Sequence, residues 1–237
     1  DNFDQVLNNF YASYFAGALL LPRQKLIDEL NLFLAKENPK PQEMVQLMTQ
    51  FNVSPESFYQ RLTNILPKDF NLKNLFFLRL SHKIGADTYQ IKKELHITNQ
   101  QEPHANEMNE HYCRRWVSIK TIEQLLQQGK THFFDAQVSR YENSSNEYLV
   151  FSSATPDPFK KDCLRSISVG ILITPSVKKK FKFLEGDMVP RQLVGVTCET
   201  CAVKDCQERA SEPIHLNQKI RNENTEAIVQ KYMAKFS

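Results

Sequence analysis

The stretch His132-Phe-Phe-Asp-Ala-Gln-Val-Ser-Arg-Tyr141-Glu-Asn143-Ser-Ser-Asn146-Glu-Tyr148-Leu-Val-Phe-Ser152 decides the fold. Apolar and polar residues alternate up to Tyr141, the cluster Asn143–Asn146 has turn composition, and Tyr148–Ser152 begins a second apolar run. Period two on either side of a short polar turn predicts a β-hairpin, with strands at His132–Tyr141 and Tyr148–Ser152. Upstream, Leu75–Leu80 and Thr88–Leu95 read as strands, and Ser166–Ile173 as another. Between them Ile119, Ile122, Leu125 and Leu126 recur at helical spacing and stop at Gly129, a residue suited to closing a helix. Residues 99–110 read as a polar loop. One or two helices inserted in a largely antiparallel sheet predict an α+β sensor domain of the PAS or GAF kind.

The first seventy residues have a different period. Val6, Phe10, Tyr14 and Gly17 share a helix face, Pro22 opens a second helix with the stripe Leu26, Leu30, Phe33 and Leu34, and Met44, Leu47 and Met48 mark a third. Asn52-Val53-Ser54 is a turn whose serine caps a fourth helix carrying Phe58, Leu62 and Ile65. The last pair has the spacing of a helix-turn-helix. A DNA-reading helix needs cations, and only Arg61 lies on this one, which favours a packed helical subdomain. His215–Phe236 reads as a charged amphipathic helix. The expected organisation is a helical subdomain over 1–71, a sensing domain over 72–190, and a cysteine-rich segment with a terminal helix over 191–237.

Composition narrows the function. The chain has 237 residues, 41% hydrophobic and 24% charged, with a net charge of +3, values of a globular protein that give no electrostatic case for nucleic-acid binding. No apolar run reaches the ~20 residues of a membrane span. Phe15–Pro22, the longest candidate, lacks the cationic start of a signal peptide, so the expected compartment is the cytoplasm. Six glycines leave little room for a phosphate loop or nucleotide-binding pattern, and no nucleophile–base pair stands out. The start at Asp1, inside a helical pattern, suggests that an N-terminal domain precedes these residues.

Five cysteines are too few for a disulfide scaffold, and in a reducing compartment a cysteine cluster points to metal or redox chemistry. Cys198-Glu-Thr-Cys201-Ala-Val-Lys-Asp-Cys206 is a C-x2-C-x4-C run. Thiolates held that closely repel one another unless a cation compensates them. A fourth ligand has to come from elsewhere. Cys113 and Cys163 are the cysteine candidates, with His111 and His215 behind them. An iron–sulfur cluster, a zinc ion and unligated thiols all remain open on spacing alone.

Several blocks resemble one bacterial family in order along the chain. They are Phe15-Ala-Gly-Ala-Leu-Leu-Leu-Pro22, Phe51-Asn-Val-Ser54 with Arg61-Leu62, Leu75-Phe-Phe-Leu-Arg79, Cys113-Arg-Arg-Trp116, Gly170, and Gly195-Val-Thr-Cys198 through Cys206-Gln-Glu-Arg209-Ala210. They are similar to the short-chain fatty acyl transcriptional regulators, which control propionate, methylcitrate and glyoxylate metabolism. The resemblance implies an N-terminal DNA-binding helix-turn-helix domain ahead of these residues, an acyl-coenzyme A effector and a 4Fe–4S cluster. Carried over, Cys113, Cys198, Cys201 and Cys206 would be the ligands and Cys163 a bystander. Paired operators imply a homodimer acting by allostery. A coenzyme A site needs cations, an aromatic surface and an apolar slot. Phe77 with Arg79, and Arg114 with Arg115 and Trp116, are the candidates. The run Lys178, Lys179, Lys180 and Lys182 reads more simply as a solvated basic face. The first block is also shared with ImmA/IrrE-type metallopeptidases, whose HExxH helix has no counterpart here. Asn9 and Tyr11 stand where their glutamate ligand would fall, so a degenerate scaffold is expected rather than a zinc peptidase.

Overall fold

A computed structural model describes residues 2–97, 110–142 and 144–236. Four helices come first: α1 (Phe3–Leu20), α2 (Arg23–Ala35), α3 (Glu43–Gln50) and α4 (Pro55–Asp69). Local chemistry sets their ends. Asn2 accepts from the Asp4 N–H and Gln5 returns to the Asn2 N–H, a capping box at the head of α1. Asn52 turns the chain at φ 51°, and Ser54 accepts from the Ser57 N–H, with Pro55 in the first turn of α4. There follow β1 (Leu75–Lys83), β2 (Tyr89–Ile97), α5 (Val117–Gln128), β3 (Phe133–Tyr141), β4 (Glu147–Pro156), β5 (Cys163–Leu172), α6 (Pro175–Lys180), a 3-10 turn at Lys182–Glu185, β6 (Arg191–Val194) and α7 (Ile214–Phe236). Gly129 closes α5 in the left-handed region, φ 59°.

The strands form one six-stranded sheet in the order β2-β1-β5-β4-β3-β6. All neighbours are antiparallel except β6, which runs parallel to β3. The fold is thus mixed α+β, as the change of period predicts. Alternation sorts side chains to two faces. Leu75 and Phe77 enter a core with α2, α3 and α4. Phe76, Leu78 and Leu80 enter a second core with Ile119, Ile122 and Leu125 of α5. The central strands β4 and β5 are covered on both faces, which is why they read as continuous apolar runs. A hydroxyl seam satisfies three of their serines: Thr121 and Ser168 both meet Ser152 within 3.0 Å, while Tyr59 meets Ser153 at 3.0 Å.

Several expectations need correction. Helices α2–α4 and the sheet, on either side of residue 71, share a single hydrophobic core. On α4 the cations are Arg61, which is buried as the packed reading expects, and Lys68, which is exposed in the last turn. Arg61 is 5% exposed and donates through Nε to the Leu21 carbonyl, with Tyr14 beneath its guanidinium. α1 buries none of its residues and presents Phe3, Phe10, Phe15 and Leu19 outward. α7 is a charged helix, as expected, but its apolar residues, among them Ile214, Ile220 and Ile228, do not gather on one face. Strand β6, four residues after Pro190, has too short a pattern to be read from sequence. The loop expected over 99–110 falls on residues outside those described, except Glu110, and Asn143 of the hairpin turn lies outside them too. No described helix is long and apolar enough to cross a membrane.

Candidate metal centre

Two segments far apart in sequence close on each other at the edge of the second core. The strand-like run before α5 meets the run after β6 through a short antiparallel ladder. Tyr112 bridges Thr197, the Cys113 N–H donates to the Val196 carbonyl at 3.0 Å, and the Cys198 N–H donates to the His111 carbonyl at 2.8 Å. Trp116 is 4% exposed and donates from its indole N–H to the Gly195 carbonyl at 2.8 Å. That bond locks the head of α5 against the cysteine segment.

The ladder brings three buried cysteines into one neighbourhood. Cys113, Cys198 and Cys201 are each under 10% exposed. The Gly195 N–H donates to Cys113 Sγ and the Ala210 N–H to Cys198 Sγ, both at 3.4 Å. Such N–H groups aimed at sulfur stabilise thiolate character. Cys198 and Cys201 are joined in a tight turn by a backbone hydrogen bond of 3.3 Å. Arg209 stitches the knuckle together, donating from its guanidinium to the carbonyls of Cys198, Cys201 and Val203. Cys206 is half-buried, and its carbonyl accepts from the Arg209 N–H. Cys163 begins β5 opposite Lys83, in a strand position rather than the exposed connection its lysine neighbours suggest.

Burial opposes charge on two of the sulfurs, Cys113 and Cys201. Burial pushes the Cys113 thiol up to about 11; the Gly195 and Arg115 N–H groups offset part of this, and Cys201 and Cys198 add to the rise. Burial likewise raises Cys201, with the Val203 N–H and Arg209 lowering it and Glu142 raising it. Among the described residues no three His, Cys, Asp or Glu side chains already stand gathered as a coordination sphere. Loading a cation would therefore require the buried thiols to turn toward one point and release their protons.

The reserve histidines serve the loops. His111 contacts Glu199 twice, through its backbone N–H at 3.0 Å and Nδ1 at 2.7 Å. Burial pushes the Glu199 carboxyl up, and the hydrogen bonds from His111 outweigh it, leaving the group below the usual carboxylate range. His215 pairs with Glu110 at 3.2 Å, and its N–H donates to the Glu199 carbonyl. Glu142, Glu199 and Arg209 are the structural partners that spacing does not reveal: Glu199 acts across the ladder on His111, Glu142 reaches Ala202 from the end of β3, and Arg209 folds back on the carbonyls of its own segment.

The five effector candidates do not converge. Phe77 is packed in the helix-side core, and Arg79 pairs with Glu56 at 3.0 Å, a carboxylate that also holds Arg165 at 3.1 Å. Trp116 belongs to the opposite core. Arg114 lies over the Tyr89 ring at 4.7 Å and donates to the Asp87 carbonyl, and Arg115 donates to the Leu193 carbonyl at 3.3 Å. The sheet separates the two groups, because Phe77 and Arg79 share the face that α4 covers. Lys178 and Lys179 are exposed, in keeping with a solvated face. An open groove of about 560 Å³ borders the cysteine segment, lined by Arg140, Glu142, Ser144, Ser145, Leu193 and Val203 among others.

No curated protein and no solved structure matches the chain. Residues 1–63 match the IrrE N-terminal-like domain of the Peptidase_M78 family, a span that ends within α4, ahead of the sheet and of every cysteine.

Proposed function

We propose that these residues are the effector-binding region of a bacterial transcriptional regulator of short-chain acyl metabolism. In this reading Cys113, Cys198, Cys201 and Cys206 hold a 4Fe–4S cluster, an acyl-coenzyme A is the effector, and DNA is bound by an N-terminal helix-turn-helix domain outside these 237 residues. The observation that carries the reading is the ladder joining residues 111–113 to 196–198, which buries three thiols together with backbone N–H groups donating to two of them. When bound, such a cluster supplies cross-linking and one-electron chemistry; the chain's own part is to hold four sulfurs and shield them. The antiparallel order with β5 between β1 and β4 supports a sensor fold of the PAS or GAF kind.

The effector contacts belong on the α5 side. Arg114 and Arg115 are partly exposed beside Cys113, whereas Phe77 and Arg79 are committed to packing and to Glu56. Effector binding there would bias the junction of α5 with the cysteine segment, and so the paired DNA-binding domains of a cytoplasmic homodimer. The match over residues 1–63 fits a helical scaffold kept without peptidase chemistry, since these residues contain no HExxH. A zinc-stabilised interaction module is the second reading, favoured by the carboxylate of Glu142 beside Cys201, an oxygen donor that zinc accepts.

Anaerobic purification with iron, sulfide and zinc analysis tests the reading. A brown protein with absorption near ~400 nm that bleaches on reduction supports the cluster, and a colourless protein with one zinc supports the alternative. A thermal shift with propionyl- and butyryl-coenzyme A, and none with coenzyme-free short acyl acids, tests the effector. No shift with any acyl-coenzyme A rejects it.

A further inference from the structure

One carboxylate at the end of β3 is singled out neither by spacing nor by resemblance. Glu142 follows the last residue of β3, and its N–H donates to the Val194 carbonyl at 2.9 Å, so β6 fixes its backbone. Its two oxygens accept from the Ala202 N–H at 3.0 and 2.8 Å. The Cys201 thiol donates to Oε2 at 3.5 Å. On the other side lies Gly195. A β-carbon there would stand 2.9 Å from Cys201 Sγ, 3.2 Å from its Cβ and 3.8 Å from Glu142 Oε1. Cys201 is thus held between a backbone with no side chain and a carboxylate that grips the next residue.

We propose that Glu142 is a positioning residue that seats Cys201, fixing the second cysteine of the knuckle to the β3–β6 edge of the sheet. An N–H donating to a carboxylate is among the stronger hydrogen bonds, and this one acts on the residue after Cys201, where it sets the direction of the chain toward Cys206. Gly195 completes the seat because any side chain would displace the sulfur. The same carboxylate lines the open groove, so the seat is where the sensing sheet meets the cysteine segment. The role in metal binding presumes the cysteine centre proposed above; the seating of Cys201 does not.

Hydrogen exchange on the full 237-residue chain, reduced and metal-free, tests the seat. Glu142→Ala speeds exchange of the Ala202 amide by about 10-fold or more, while Glu142→Gln, whose amide oxygen still accepts, keeps it within about 3-fold of the parent. Equal exchange in Glu142→Ala and the parent overturns the proposal, as does a glutamine variant that exchanges as fast as the alanine one. Gly195→Ala gives a second test that survives a failure of Glu142→Ala to fold. Its Cys201 reacts with iodoacetamide several-fold faster relative to Cys163 in the same molecule, and an unchanged ratio overturns the seat. Cobalt(II) then probes the metal role. The thiolate-to-cobalt band falls at least two-fold in Glu142→Ala and is kept in Glu142→Gln, and full intensity in the alanine variant refutes that role. An exchange effect with no cobalt band in any variant upholds the seat and refutes its role in metal binding.

Discussion

Gly170 lies on β5 directly opposite Phe76 on β1, and the ring of Phe76 lies across it. A β-carbon at Gly170 would stand 2.1, 2.3 and 2.8 Å from three ring atoms. Phe76 is 3% exposed and walled by Tyr148 and His96, with ring centroids 5.7 and 6.2 Å away. The ring therefore has nowhere to retreat. In an unobstructed strand, Gly→Ala stabilises by about 0.4–1 kcal/mol by restricting the unfolded chain. Here overpacking of about 1–3 kcal/mol dominates, so after that offset Gly170→Ala is expected to lose about 0.5–2 kcal/mol overall. Urea unfolding of the reduced protein at pH 7, read from the midpoint at constant slope, measures it. Trimming the obstruction supplies the control. Phe76→Leu costs stability alone, but combined with Gly170→Ala the loss falls short of the sum by at least about 1 kcal/mol. A stabilised Gly170→Ala, or two strictly additive losses, refutes this packing of β1 on β5.

Other perturbations follow from the same contacts. Arg61→Met leaves the Leu21 carbonyl without its buried donor and is expected to cost about 1–3 kcal/mol, with faster hydrogen exchange in α1; unchanged stability contradicts the buried role of Arg61. Arg79→Ala breaks the bridge to Glu56 and is expected to cost about 1–2 kcal/mol while leaving any acyl-coenzyme A thermal shift intact; a lost shift at unchanged stability would return Arg79 to the effector site. Burial lowers the His132 imidazole, and its Nε2 has no hydrogen-bond partner among the described residues. A depressed histidine contributes stability that is full above its unfolded value near 6.5 and is lost as pH falls below it. His132→Phe is expected to flatten the decline between pH 7 and 5, and an identical decline in variant and parent counts against this assignment.

The sequence carried most of the architecture and only part of the site. Elements whose burial follows a period were legible: the stripe of α2, the serine cap of α4, the glycine stop of α5 and the hairpin partners β3 and β4. Elements held by their surroundings were not. β6 is four residues that pair in parallel with β3, a long-range choice with no local signature, and α7 has apolar residues without a shared face. At the site, the cysteine spacing was legible because C-x-x-C is a local geometry. Its partners have no period to follow: Glu199 bonds across the ladder, Glu142 bonds from the end of β3, and Arg209 folds back on backbone carbonyls of its own segment. The effector candidates lie apart for a physical reason as well. A strand alternates faces, so Phe77 and Arg79 were bound to enter the layer under α4, away from Trp116.

The most direct test of the central claim is a metal and sulfide count on the anaerobically purified chain, in parallel with Cys113→Ser. The account predicts about four iron and four sulfide per chain, and a loss of most of that iron in Cys113→Ser with the fold retained. Full iron content in Cys113→Ser, or stoichiometric zinc without sulfide in the parent, would contradict it.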